Sequence, residues 1–362
     1  MPNWPSIAAQ FNLSGDILSA EPLGHGHIHD TYRLALTERG AERSYTLQRL
    51  NTTIFRNPAA LMDNIARVTA HLHRKNNGAP DAHRHALQPV AARDGGWLAT
   101  TENGAVWRAF HFIGRAYAPD ILESLDQAYQ AARAFGRFQG QLADLPPPRL
   151  TEILPDFHHT PKRFMAFERA LAADAHQRTD AARPEIAFVL SRRTMTTVLL
   201  DLQGRGEIPE RVVHNDTKIN NILFDESSGE AICVIDLDIV MPGLALYDFG
   251  DLVRSASNPA AEDERDLSRV VFRLPFFAAL LRGYLETAGA FLTPAERRHL
   301  AFAGPLITLE VGLRFLTDYL DGDKYFKVQR PNHNLDRART QFKLVADMER
   351  HRDAMQAIVD AG

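Results

Sequence analysis

The segment His214-Asn215-Asp216-Thr217-Lys218-Ile219-Asn220-Asn221, which runs into Ile222-Leu223-Phe224, constrains this chain more than any other stretch. After a Ser/Gly turn come Ala231-Ile232-Cys233-Val234-Ile235 and then Asp236-Leu237-Asp238. The arrangement is H-x-D-x-x-x-x-N, a short hairpin, and a second acid at the end of an apolar strand. An Asp held in a rigid loop can accept the proton of an attacking hydroxyl. An Asn five residues on and an Asp at the end of the next strand can hold Mg²⁺ through hard oxygen ligands. Phosphoryl transfer asks a protein for these services, positioning and charge neutralisation, rather than for covalent chemistry. Asp216 is therefore the candidate base, and Asn221 and Asp236 are candidate metal ligands. The competing reading makes the same residues turn formers and loop caps, which Asp and Asn commonly are. The apolar flank Cys233 to Ile235, leading straight into two acids, favours the first. His214 reads as a structural residue that fixes the loop.

Around this island the chain divides in character. Residues up to about 115 read as strand-rich, with extended runs at Ile17 to Leu23, Ile28 to Leu36, Ser44 to Leu50 and Val106 to Ile113. Helical periodicity covers Ala59 to Leu72, with Pro58 placed for a first turn. Arg74 to Pro89 reads as a polar, His-rich loop. Beyond residue 120, helical patterns recur at Ile121 to Leu142, Glu185 to Gln203, Leu267 to Ala288, Leu306 to Leu320 and Ala338 to Val359. The expected fold is α+β and two-lobed. A small antiparallel-sheet N-lobe (residues 1–113) carries the nucleotide, and a larger, mostly helical C-lobe (residues 114–362) carries the catalytic loop and acceptor.

Composition restricts the partners. The chain has 362 residues, 24% of them charged, with a formal net charge of −4. No Lys/Arg-dense arm is present, which argues against nucleic acid or an anionic membrane as partner. The single Cys233 allows no intrachain disulfide and points to a reducing compartment. The N-terminus lacks a basic region followed by an apolar core, so the expected location is the cytoplasm. Oligomeric state has no signature here.

The nucleotide side is read from Leu23-Gly24-His25-Gly26-His27, between two strand candidates. Gly24 and Gly26 let backbone N–H groups, including that of His27, come close to phosphates. Two glycines at a hairpin are otherwise simply a turn. The alternating histidines also raise a metal site, which the absence of Cys or a second cluster argues against. On the third strand, Gln48 or Arg49 stands where a kinase-like lobe has a Lys, and the helix after it offers no Glu, only Asp63. Arg49 is a candidate phosphate contact or a solvated strand charge. Backbone groups of His111 to Ile113 are candidates for holding adenine.

His214 to Asn221 and Val234 to Gly250 resemble the aminoglycoside phosphotransferase/choline kinase-like superfamily, which shares the protein-kinase fold. Within it, HNDTKINNILFD, VIDLDIVMPG and YDFGDLVR are similar to the N-acetylhexosamine 1-kinase subgroup, over nearly the whole chain. The resemblance implies ATP- and Mg²⁺-dependent phosphorylation of the anomeric hydroxyl of N-acetylglucosamine or N-acetylgalactosamine. It implies Asp216 as base, Asn221 and Asp236 as Mg²⁺ ligands assisted by Asp238, and Asp248 as a brace for the loop. Gln48-Arg49 on the third strand also matches that subgroup. Arg314 and Tyr325 match its sugar-binding positions, although Arg314 could instead pair with Asp318 and Tyr325 could lie in the core. Rival acceptors are choline, homoserine, methylthioribose and aminoglycosides. A rival of another class is a catalytically silent nucleotide- or sugar-binding regulator.

Overall fold

The computed structural model describes residues 2–24 and 28–362. The protein-kinase-like two-lobed fold is present. One antiparallel sheet holds β1 (Asp16–Pro22), β2 (Asp30–Glu38), β3 (Ala41–Arg49), β4 (Pro89–Val90), β5 (Ala99–Thr100) and β6 (Val106–His111). Its order is β1-β2-β3-β6-β4, with β5 also on β6. β2 and β3 stay in register from Asp30↔Arg49 to Glu38↔Ala41. Arg39 and Gly40 both turn that hairpin with positive φ, matching the right-handed twist of the strands. One sheet face, with Leu34, Leu36, Leu47 and Trp107, packs on Phe11 and on helix α1 (Trp4–Ala8). Helix α2 (Pro58–Asn76), capped by Asn57 and started by Pro58, buries Leu61, Met62, Ile65, Val68 and Leu72 in the core that runs on into the C-terminal half.

The second half is helical: α3 (Leu125–Leu142), α4 (Thr160–Ala173), α5 (Arg183–Leu190), α6 (Val198–Gly204), α7 (Ala245–Ala256), α8 (Leu274–Ala288), α9 (Pro294–Arg298), α10 (Leu300–Leu320), α11 (His333–Arg350) and α12 (Arg352–Ala361). Set among them are β7 (Ala116–Tyr117), β8 (Arg211–Val213), β9 (Ile222–Asp225), β10 (Ala231–Val234) and β11 (Met241–Gly243), paired as β10-β9-β7 and β11-β8. Helix α10 is central and packs on α4, α7 and α11. By length and composition it could cross a membrane, yet 78% of its apolar window is buried inside the protein.

Several elements differ from the sequence expectation. The stretch Arg74 to Pro89 is not simply a polar loop. Its buried Arg84 pairs with Asp225 on β9 at 2.6 Å and donates to the Gly114 and Arg115 carbonyls, so it ties the first sheet to the second. The helix expected over Glu185 to Gln203 is split by a 3₁₀ turn at Arg193–Thr197, where three threonines lower helix propensity. Helix α8 starts at Leu274, set by Pro275, and not at Leu267. Helix α10 starts at Leu300 and absorbs Pro305, and the pattern expected over Ala338 to Val359 is two helices meeting at His351. Helix α7 was not among the expected helices; nearly every residue in it is buried, Asp248, Asp251 and Arg254 included.

Candidate active site

The loop after β8 is fixed from below by a buried carboxylate. Asp248 on α7 accepts from the backbone N–H of His214 (2.9 Å) and Asn215 (2.7 Å), and from Gln139 Nε2 (2.7 Å). Tyr284 O–H in turn donates to Gln139 Oε1. Asn215 takes a left-handed φ of 66°, a costly conformation for a residue with a side chain, held by its Nδ2 donating to the Ile239 carbonyl. Its own carbonyl accepts from His158 Nε2 at 3.1 Å. The other ring nitrogen of His158 faces Glu310 Oε1 at 2.7 Å. Both nitrogens thus meet acceptors, so both carry hydrogens and His158 is an imidazolium. Burial opposes that charge, but Glu310 outweighs it and raises His158 above its ordinary value. His214 donates from Nε2 to the Ile235 carbonyl and accepts the Asp216 N–H on Nδ1. It fixes the loop and is not aimed at a reacting atom.

Asp216 therefore projects from a rigid loop with its side chain 26% exposed. Its Oδ2 is held by Lys218 Nζ (3.0 Å) and Asn221 Nδ2 (3.0 Å). Burial works against ionisation there, yet Lys218 and His214 hold the carboxyl below its ordinary value. Oδ1 is left to accept a proton. Asn221 spends its Nδ2 on Asp216, which leaves its Oδ1 outward, and its carbonyl takes the Ile235 N–H beside Asp236. Asp236 sits in a left-handed conformation (φ 58°) at the end of β10. Burial, Asp238 and Asp216 push it up to about 6. Asp236 nevertheless keeps a solvent-exposed surface, and an acid pushed up beside other acids is what an added divalent cation would relieve. Among the described residues no three His, Cys, Asp or Glu side chains converge as a ready-made metal cluster. Mg²⁺ does not need one, since it commonly takes one or two protein ligands plus substrate phosphates.

Asp238 is placed differently from the sequence expectation. Both its oxygens are engaged with the N-terminal sheet, Oδ1 with Arg108 Nη1 and Oδ2 with His29 Nε2, each at 2.5 Å. Burial opposes its ionisation, but Arg108 and His29 hold it well below the usual carboxylate range. Arg108 on β6 is 2% exposed and is steadied by Gln48 Oε1 at 2.9 Å. A strand glutamine and a buried arginine one strand over thus stand where a strand lysine and a helix glutamate were missed. Arg49 does not join them: its half-exposed guanidinium pairs with Asp30 at 2.6 Å.

Gly24 has a φ of 71°, while Gly26 and His27 lie outside the described residues. At the end of β6 the His111 N–H is committed to the Gln88 carbonyl and the Phe112 N–H to Ser44. Of the hinge donors, that leaves the Ile113 N–H.

On the acceptor side, Arg163, Arg314, Thr317, Asp318, Asp321, Tyr325 and Phe326 line a pocket of about 140 Å³. Arg314 does not pair with Asp318. That carboxylate accepts instead from the N–H groups of Lys324, Tyr325 and Phe326 and from Asn334 Nδ2, which pins the segment carrying Tyr325. Tyr325 is 60% exposed and so is not core. Arg314 lies one turn beyond Glu310 on α10, and Phe157, next to His158, lies 4.9 Å from its guanidinium carbon. Arg314 is thus linked to the loop that carries Asp216 through Phe157 and His158. Lys218, Arg108, Arg163 and the His158–Glu310 pair were missed in the sequence; only Lys218 had a signal, its place two residues after Asp216.

Residues 19–302 match the model of the phosphotransferase enzyme family. Similar solved structures include a microcompartment-associated aminopropanol kinase, with a TM-score of 0.68 at 17% identity over 97% of each chain. An aminoglycoside phosphotransferase from Alicyclobacillus acidocaldarius aligns at TM-score 0.58 and 13% identity, over 100% of this chain and 96% of that one. Choline kinase from Cryptosporidium parvum aligns at 0.54 and 13%, again over 100% and 96%. At these identities the likeness is one of fold. With the family match spanning most of the sequence, this chain belongs to the phosphotransferase enzyme family.

Proposed function

We propose that this enzyme transfers the γ-phosphoryl group of ATP to the anomeric hydroxyl of an N-acetylhexosamine. The acceptor hydroxyl lies against Asp216 Oδ1, which takes its proton as the oxygen attacks phosphorus, while Lys218 and Asn221 hold the carboxylate in place. Asn221 Oδ1 and Asp236 hold Mg²⁺, which on binding supplies charge neutralisation for the nucleotide phosphates. The Ile113 N–H and the His111 carbonyl receive adenine, and Gly24 lies on the phosphate side.

The observation that carries the acceptor class is the pair of guanidiniums, Arg163 and Arg314, with the Tyr325 phenol in one pocket. Donors of that kind suit the oxygens of a sugar. A nucleotide-consumption assay with Mg²⁺ over free sugars and amino alcohols, with ³¹P NMR of the product, tests the proposal. A sugar 1-phosphate doublet supports it, and turnover confined to amino alcohols refutes the sugar reading. Nucleotide binding without any transfer would refute the enzyme mechanism in favour of a silent regulator. Asp216→Asn should bind nucleotide normally while turnover falls by about 10²–10⁴.

A further inference from the structure

Arg163 and Arg314 differ from most other arginines in the protein. Among the described residues Arg314 makes no hydrogen bond and no ion pair, and it meets only the rings of Phe157 and Phe326, at 4.9 and 5.7 Å. Arg163 gives Nε and Nη2 to the Phe157 carbonyl and has no carboxylate partner. Both are half-buried and line the same pocket. Burial and the adjacent Arg314 guanidinium together push Arg163 below its ordinary value.

The acids around them are occupied elsewhere. Glu310 is held by His158 and Thr160, Asp156 by Lys162, and Asp318 by three backbone N–H groups and Asn334. Asp321, two turns beyond Arg314, also lines the pocket and pairs with neither guanidinium. Neither guanidinium is paired with a carboxylate, although Glu310 acts on both at longer range, so the free donors that line the pocket suit a planar bidentate anion.

We propose that Arg163 and Arg314 form a subsite for a carboxylate on the acceptor, so that the preferred substrate is an N-acetylhexosamine or related sugar that also carries a carboxylate. This rests on the sugar reading above and narrows it. With the reacting hydroxyl at Asp216, the carboxylate lies on the far side of the sugar ring, under Tyr325. Arg314 receives it edge-on between the two phenylalanine rings, and Arg163 closes over it with Nη1.

The test compares kcat/KM for carboxylated sugars, hexuronic acids and carboxyalkyl ethers of N-acetylglucosamine, each with its own methyl ester. The ester keeps the shape and removes the charge. The native enzyme should prefer an acid over its ester by about tenfold or more, as one charge-assisted bidentate contact allows. In Arg163→Gln that ratio should fall towards one, and Arg163→Lys should restore part of it. Because each ratio is measured within one preparation, it does not depend on how much of a variant folds. Equal use of acid and ester by the native enzyme would overturn the subsite while leaving the sugar reading standing. Efficient phosphorylation of cationic alcohols would overturn it as well. Preference for non-sugar hydroxy acids over their esters, lost in Arg163→Gln, would support the subsite and overturn the sugar reading.

Discussion

Glu310→Gln is the perturbation whose consequence can be worked out furthest. Glu310 is fully buried, accepts from Thr160 Oγ1 and faces His158, and that imidazolium grips the carbonyl of Asn215 next to the base. The amide keeps size and shape but leaves a buried imidazolium without its counter-charge. Losing one partner of such a pair costs about 3–5 kcal/mol, a large part of the roughly 5–15 kcal/mol that holds a protein folded. His158 must then shed its proton, and with it one of its two donated hydrogen bonds. His158 is raised in the folded state, so its contribution is complete below about pH 6.5 and fades as pH rises through the raised value. Glu310 is lowered, burial being outweighed by His158, so its contribution is complete above about pH 4.5 and fades on acidification. The pair is therefore worth most at mildly acidic pH. Denaturant unfolding of the native protein, Glu310→Gln, His158→Gln and the double variant, at several pH values, gives the coupling directly. A single-variant cost below about 1 kcal/mol with no coupling between the two sites would refute the assignment of a charged buried brace.

Other perturbations separate the remaining parts of the site. Asp236→Asn should raise the Mg²⁺ concentration needed for half-maximal turnover well above that of the native enzyme, with folding intact by circular dichroism; unchanged Mg²⁺ dependence would remove Asp236 from the metal site. Arg108→Met leaves Asp238 as a buried carboxylate with only His29 as partner, and should cost about 3–5 kcal/mol in denaturant unfolding. Restoration by the double variant Arg108→Met/Asp238→Asn would confirm that the charge, and not the packing, was responsible. Gly283→Ala places a Cβ 2.1 Å from the Tyr129 carbonyl oxygen, where α8 meets α3, so the helices must part. The expected loss is about 1–3 kcal/mol, and a neutral result would show that this contact has slack.

What was legible in the sequence was whatever is local. Asp216, Asn221 and Asp236 stand at short, fixed spacings along one hairpin, so the order of the residues already implies their convergence. The strands read well where one face is buried and the other wet, as in Tyr45-Thr46-Leu47-Gln48, whose apolar members point into the sheet core. Helix α7 is buried on almost all sides, and its polar stripe of Asp248, Asp251 and Arg254 meets buried partners instead of solvent. Helix boundaries slipped where a proline sat inside the first turns, as Pro305 does, because proline at such a place is compatible with either a start or a continuation.

The charged contacts were illegible for a different reason, and the missing lysine–glutamate pair shows it. Looking for a lysine on the third strand and a glutamate on the next helix presupposes which elements exchange charge. Here the cation is Arg108 on β6, the anion is Asp238 beyond β10, and the residue at the lysine's place, Gln48, only steadies the arginine. Nothing in the run Val106-Trp107-Arg108-Ala109-Phe110 separates a buried arginine from an exposed one, since alternation places it on either face. The register does: Gln48 lies opposite Arg108 across the β3–β6 ladder, so the two side chains share a face. That face looks towards Met62 of α2 and the acid after β10, where an arginine can remain only if a carboxylate meets it. Asp238 is held there by Arg108 and His29. The link between the first sheet and the segment after β10 thus depends on strand pairing that no single stretch of sequence contains.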